Sequence, residues 1–364
     1  MKNLSFIISG GGTGGHIFPA LAIANEIKRR FPTSEILFVG ARHRMEMHRV
    51  PKAGYPIIGL WISGFQRRLT ISNLLFPIKL IWSMLKAWKI LKKQNPNLVI
   101  GTGGFASAPL LKTANQLGIP TLIQEQNSYA GVTNKWVSGK AKAICVAYEN
   151  METYFPKDRI HFTGNPIRET LIHNSISQRE ALQKFNLELN KKTILIIGGS
   201  LGAKTINETI ETYIEDIKKL DFNILWQCGS SYIDTYRNLN GSDVKVVEFI
   251  EHMQEAYASA DIIVSRAGAG TVSELCLIGK PVIFIPSPNV AENHQYKNAM
   301  AIAAQNAGIC IEEKNIENVF LPTLTNLTTD KSLQEELSEN IRTLAKPNAT
   351  KDIVDIIEHI IEND

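Results

Sequence analysis

The sequence predicts an α/β protein with two Rossmann-like domains, each a doubly wound parallel sheet, facing one cleft. Three observations carry that prediction. The 364 residues exceed the size at which one hydrophobic core stops growing, so two domains are the default. Short apolar runs alternate with amphipathic stretches along the chain, the pattern of repeated βα units. Glycine-rich loops stand at strand-to-helix junctions in both halves, at 6–20 (FIISGGGTGGHIFPA), 98–109 (LVIGTGGFASAP) and 194–207 (ILIIGGSLGAKTIN). Such turns aim unpaired N–H groups and the positive end of a helix dipole at one point, which suits a phosphate.

Strands are expected at 4–9, 35–39, 98–100, 121–123 and 143–146 in the first half. The second half adds 193–197, 223–227, 245–248, 262–265, 281–285 and 308–311. After the first loop, Ile17, Leu21, Ala24 and Ile27 mark one face of a helix, with Pro19 tolerated in its first turn. The first domain is placed at 1–164, a polar linker region at 165–192 and the second domain at 193–364. A closing helix at 350–361 is a candidate to return to the first domain.

Composition narrows the class. With 44% hydrophobic and 20% charged residues, the chain is neither disordered nor fibrous. Cys145, Cys228, Cys276 and Cys310 form no CxxC pair, which argues for a reducing compartment and against a zinc site. A strand begins within a few residues of Met1, leaving no room for a signal peptide, and no apolar run of membrane-spanning length occurs. A cytoplasmic protein is expected.

Charge is unevenly spread. Residues 47–124 hold ten Lys and Arg and not one Asp or Glu, whereas 125–364 sums to −9. Only the N-terminal half therefore suits an anionic partner. Within it, 71–93 (ISNLLFPIKLIWSMLKAWKILKK) interleaves Lys with Leu74, Leu75, Phe76, Ile78, Ile81, Trp82, Leu85 and Trp88. Helical spacing predicts that much of this apolar side is core. Trp and Lys without acids also describe a face that docks on anionic lipid. Nucleic acid ranks lower, because the aromatics sit among Leu and Ile rather than on a polar platform.

In GGGTGGH (10–16), five glycines in six positions exceed what a tight turn needs and favour close approach of a ligand. The pattern nominally satisfies GxGxxG, yet the second strand ends Val39-Gly40-Ala41-Arg42 with no acid for a dinucleotide ribose. No Walker pattern and no DxD occurs, so no P-loop chemistry, metal or cofactor is expected. His16 stands at the helix start, where the dipole favours the neutral imidazole that a general base requires. A backbone-satisfied capping histidine is the alternative. In 264–274 (VSRAGAGTVSE), small residues let a ligand lie against the backbone, and Glu274 suits ribose hydroxyls or simply the helix dipole. Gln124-Glu125-Gln126-Asn127 clusters polar groups at a strand end, and Arg168 follows Asn165-Pro166 near the domain junction, where it suits a phosphate.

Together GGGTGGH, RMExxxVP (44–51), GTGGFAS-P, EQN with AGxTNKW (130–136), GNPxR (164–168), GGSxGA (198–203), GxxTVSE (268–274) and Gln295-Tyr296 resemble the MurG family, within glycosyltransferase family 28. The resemblance runs in order from Ile8 to about Ala299. It implies the GT-B arrangement and an inverting, metal-independent transfer of GlcNAc from UDP-GlcNAc to the 4-hydroxyl of MurNAc on lipid I, giving lipid II for peptidoglycan. It further implies a peripheral enzyme on the cytoplasmic face of the bacterial inner membrane, docking through 67–93. By motif, Ser200 would meet the diphosphate, Ile250 would read uracil, and Ala269, Gly270, Thr271, Val272, Ser273 and Glu274 would hold the nucleotide. Gln295 would bind the sugar, while Asn127 and Arg168 would bridge toward sugar and phosphate. Thr13, Gly14 and Gly15 would approach the cleft beside the acceptor loops of Gly12, Gly103 and Gly104. His16 and Glu125 are the candidates for the base. Family members often carry Tyr and His where this chain has Phe105 and Gln124, which shifts the weight to His16. A GT-B transferase with another lipid acceptor, a UDP-GlcNAc 2-epimerase and a silent nucleotide-sugar sensor are the rival readings.

Overall fold

The computed structural model describes residues 4–64, 75–172, 175–199 and 201–363. They form two compact units, 1–167 with 346–364, and 168–345.

In the first unit, β1 (Ser5–Ser9), β2 (Glu35–Ala41), β3 (Ile57–Leu60), β4 (Leu98–Gly101), β5 (Thr121–Glu125), β6 (Ala143–Val146) and β7 (Ile160–Phe162) pair in the order β3-β2-β1-β4-β5-β6-β7, all parallel. Helices α1 (Gly14–Arg30), α2 (Glu46–Lys52), α3 (Phe76–Gln94), α4 (Ser107–Gln116) and α5 (Val132–Val137) connect them. In the second unit, β8 (Thr193–Ile197), β9 (Asn223–Gln227), β10 (Val244–Val247), β11 (Ile262–Ser265), β12 (Val282–Phe284) and β13 (Ile309–Cys310) pair as β10-β9-β8-β11-β12-β13, again parallel. Its main helices are α6 (Gln178–Lys184), α7 (Lys204–Lys218), α8 (Met253–Ser259), α9 (Ala269–Ile278), α10 (His294–Ala303), α11 (Ile316–Thr329) and α12 (Lys331–Thr343). The last helix, α13 (Ala349–Asn363), belongs to the first unit.

Central strands such as β8 are buried at every position, which is why they read as unbroken apolar runs. Two strands escape the sequence reading: β3, four residues at a sheet edge, and β7, three residues at the other edge with His161 and Phe162 exposed. Short edge strands bury too little to leave an apolar signature. Pro19 is the sixth residue of α1, one turn deeper than expected, because the helix already starts at Gly14. Residues 178–184, inside the stretch read as linker, form α6 with a complete Ser177–Glu180 capping box.

In each sheet the strand order reverses beside one strand, at β1/β4 and at β8/β11. Ligands of doubly wound sheets bind beyond the carboxyl ends at this switch point. The loops that follow β1 and β4, and those that follow β8 and β11, are the glycine-rich segments singled out by sequence.

Helix α13 packs on α1 through Ile353, Val354, Ile357 and Ile360, which share a core cluster with Ile17, Ile23 and Ile27. Arg30 ties the two helices, pairing with Asp355 and, at 3.2 Å, with Glu358. Its neighbour Glu26 is buried and accepts from Arg29 at 2.7 Å and Arg30 at 2.8 Å. The Arg29 hydrogen bond, with Arg30 in support, holds the Glu26 carboxyl at about 2 against an ordinary 4.5. A carboxyl lowered by folding adds stability above its unfolded value and loses it as pH falls through the folded one. Glu26→Gln is therefore expected to be less stable than the parent at pH 7. The gap should close as pH falls from 4.5 toward 2, which denaturant midpoints across that range would check.

Among the described residues no helix is long and apolar enough to cross a membrane. Helix α3 overturns the core expectation for most of the bulky residues named in 71–93, although Phe76 packs against the core. It buries mainly small or distal residues (Ser83, Ala87, Ile90, Leu91) and exposes Ile78, Ile81, Trp82, Leu85 and Trp88. Small inward residues let α3 lie close on α4, so the bulky ones are left outside. Residues 67–74 of the expected docking segment, Leu74 among them, lie outside the described residues.

Candidate active site

The first glycine loop closes on the second around His16. A Cβ at Gly104, already at φ +81°, would collide with the Gly11 carbonyl oxygen and lie 3.1 Å from the His16 ring. One at Gly103 would lie 3.1 Å from His16 Nδ1. Only glycine permits this approach. The Thr102 hydroxyl donates to the His16 carbonyl at 2.7 Å, which fixes the backbone of the histidine to β4. His16 Nδ1 lies 3.0 Å from the Thr102 carbonyl oxygen and 2.9 Å from Gln126 Oε1. Both are acceptors, so Nδ1 carries a proton.

The rest of the loop divides in two. Thr13 caps α1 without a side-chain hydrogen bond, so the first-turn N–H groups of Gly14 and Gly15 have no side-chain partner there. The Gly12 N–H donates to Glu46 Oε2 at 3.2 Å. Glu46 is fully buried and also accepts from the Ala41 N–H at 3.0 Å, joining the loop to the end of β2.

Glu125 sits at the end of β5, 1% exposed. Its Oε1 accepts from the Asn127 N–H at 3.1 Å and Asn127 Nδ2 at 3.3 Å, and its Oε2 from Gly131 N–H at 3.0 Å and Asn134 Nδ2 at 2.8 Å. Four donors fill the lone-pair positions of a carboxylate. The group holds the 126–134 loop and has no free position for a substrate proton, which counts against it as base. Asn127 is likewise turned toward Glu125.

In the second unit, α9 begins after Gly268 with no side-chain cap, leaving the N–H groups of Gly270 and Thr271 at its open end. Ala269 and Val272 are buried beneath that turn, and the Ser273 hydroxyl donates back to the Ala269 carbonyl at 3.1 Å. Glu274 lies one turn in, its side chain 10% exposed, paired with Arg168 Nε at 3.0 Å and accepting from the Tyr257 hydroxyl at 3.0 Å. Burial pushes the Glu274 carboxyl up, opposed by Arg168 and by the Tyr257 hydrogen bond. Arg168 keeps half of its side chain exposed. Ile250 is buried and its N–H already donates to Gln227 Oε1 at 2.9 Å, so a base ring could use only its carbonyl. Gln295 Oε1 accepts from the Ser287 N–H at 2.9 Å. Ser200 lies outside the described residues.

The structure thus brings His16, Gly103 and Gly104 together in one unit, and Arg168 with Glu274 in the other. It adds Thr102, Glu46 and Tyr257, which sequence reasoning did not single out as site residues, and it sets Gln126, one of the polar cluster at the end of β5, against His16. Thr102 and Glu46 were inside the quoted motifs. Tyr257 stands 17 residues from Glu274 with no local signal.

Paired Rossmann-like units with anion-receptive helix starts at their switch points place this chain in the GT-B class of glycosyltransferases. Within that class it belongs to glycosyltransferase family 28, whose N-terminal domain matches residues 6–146 and whose C-terminal domain matches 193–358. The UDP-N-acetylglucosamine–N-acetylmuramyl-(pentapeptide) pyrophosphoryl-undecaprenol N-acetylglucosamine transferase of Flavobacterium psychrophilum is 54% identical, over 100% of this chain and 99% of that protein. The transferase of the same name from Christiangramia forsetii is 53% identical, with 100% and 99% covered. Among solved structures, Acinetobacter baumannii MurG is 30% identical with a TM-score of 0.80, covering 98% of this chain and 99% of that one.

Proposed function

We propose that the chain transfers GlcNAc from UDP-GlcNAc to the 4-hydroxyl of the MurNAc unit of undecaprenyl-pyrophosphoryl-MurNAc-pentapeptide, lipid I, with inversion, giving lipid II for peptidoglycan synthesis. What carries the reading is identity above one half, over the full length, to relatives named for that transfer. The geometry supplies matching chemistry. His16 Nε2 takes the proton of the attacking hydroxyl as the new glycosidic bond forms. The electron pair of the breaking C–O bond leaves on the UDP phosphate oxygen. The open turn of α9 and the exposed half of Arg168 receive that charge, and a removed acceptor proton is worth about 10² to 10⁴ in rate. Glu274 offers fixed carboxylate oxygens to the ribose. Gln295 and the Ile250 carbonyl complete the donor site, with Thr13, Gly14 and Gly15 as further UDP-GlcNAc contacts and the loops of Gly12, Gly103 and Gly104 on the acceptor side. Glu125 positions the 126–134 loop.

The test is a transfer assay with labelled UDP-GlcNAc, a short-chain lipid I analogue and EDTA throughout. Labelled disaccharide-lipid is the expected product. Donor binding without transfer would sink the acceptor assignment and leave a transferase for another lipid.

We further propose that the protein works at the cytoplasmic face of the inner membrane. The α3 stripe supports this: Ile81 and Leu85 are 61% and 60% exposed, and Trp82 stands between Arg42 and Lys86 at 5.4 Å and 5.7 Å. Each basic residue near an anionic surface adds about 1 kcal/mol. The double substitution Ile81→Glu and Leu85→Glu is expected to abolish sedimentation with anionic vesicles while leaving UDP-GlcNAc binding intact. Retained sedimentation would place the docking surface elsewhere.

A further inference from the structure

The imidazole of His16 is held by a chain of buried amides whose orientation is fixed end to end. Gln126 is 2% exposed, and its Nε2 faces the Thr102 carbonyl at 2.7 Å, the Gln124 carbonyl at 3.0 Å and Gln124 Oε1. All three only accept, so the nitrogen must stand there and Oε1 must face the imidazole. Gln124, fully buried, presents its own Oε1 because its Nε2 donates to Asn165 Oδ1 at 2.9 Å. Asn165, 2% exposed, presents that oxygen because its Nδ2 donates to the Gln126 carbonyl at 3.0 Å. Rotating any one of these amides would set donor against donor and acceptor against acceptor inside a buried network. Such a network has one arrangement.

We infer that Gln126, oriented by Gln124 and Asn165, is the positioning residue that locks His16 in its Nδ1–H tautomer and so leaves Nε2 bare for the acceptor hydroxyl. The catalytic consequence rests on the reading of His16 as base; the tautomer itself does not. Thr102 alone would supply one acceptor to Nδ1, and its carbonyl is shared with Gln126 Nε2. The second acceptor at 2.9 Å makes the opposite tautomer meet two oxygens with a lone pair.

The experiment is ¹⁵N NMR of the full chain with labelled histidine at pH 8, the His16 signals being those absent from His16→Ala. The wild-type ring is expected neutral, protonated at Nδ1. Gln126→Leu should populate the Nε2–H form and lower kcat about tenfold with the KM for UDP-GlcNAc unchanged, the loss of roughly one hydrogen bond at the base. Gln126→Glu, nearly isosteric and less prone to unfold, should instead hold the ring as imidazolium at pH 8. An Nε2–H ring in the wild type would overturn the inference. So would Gln126→Leu and Gln126→Glu rings that stay in the neutral Nδ1–H form, even with reduced kcat, since Gln126 would then serve packing only. A tautomer that moves while His16→Ala keeps full activity upholds the lock and sinks the base.

Discussion

His16→Ala is expected to lower GlcNAc transfer by about 10² to 10⁴ while donor affinity stays in place. The split follows from where the residue sits. His16 belongs to the first unit, in the first turn of α1, whereas the Arg168–Glu274 pair and the open turn of α9 belong to the second. Removing the imidazole takes away the proton acceptor and none of the donor contacts. Its backbone carbonyl still accepts from Thr102, so the loop keeps its anchor. Single-turnover transfer and calorimetric UDP-GlcNAc binding, measured side by side, would check both halves. Parallel loss of binding and rate would mean that the histidine shapes the fold rather than the chemistry.

Gly104→Ala is expected to be nearly as damaging, although it adds only a methyl group. The backbone there is left-handed at φ +81°, and the new carbon would occupy the place of the Gly11 carbonyl oxygen. Both are backbone constraints, so no side chain can turn aside to relieve them. The two glycine loops must part, and His16 moves with them. A displacement of about 1 Å at a reacting group costs on the order of 10² in rate. The variant should retain its far-ultraviolet circular dichroism and lose transfer. Gly118→Ala is the control: it is also left-handed, at φ +74°, but no atom lies within 4 Å of the added carbon. Equal activity of the two variants would refute the steric argument.

Much of this architecture was legible because parallel strands buried on both faces cannot hide. Runs such as TILII at β8 and the glycine loops behind them fall at the switch points that the alternation implies. His16 was legible for the same reason, as a titratable group following five glycines. What was not legible depends on pairings distant in sequence. Gln124 meets Asn165 across 41 positions, and Gln126 meets His16 across 110. No local pattern says that these amides share a buried network. Glu125 and Glu46 show the other failure: sequence marks a carboxylate but not how many N–H groups surround it. Helix α3 misleads in a third way, because periodicity reports an apolar face without saying whether protein or lipid covers it.

The return of α13 to α1 has a consequence for synthesis on the ribosome. The polypeptide leaves the first unit at Ile167 and re-enters it at Lys346, so the second unit is an insertion within the first. A nascent chain therefore exposes Ile17, Ile23 and Ile27 early and covers them last, once Ile353, Val354, Ile357 and Ile360 emerge. The inserted unit has every residue of its own core by Ala345 and is free to fold while the earlier-made one waits. Order of manufacture and order of completion are thus reversed. A premature stop between 346 and 353 would spare the later-made half and leave the first-made half open to proteolysis.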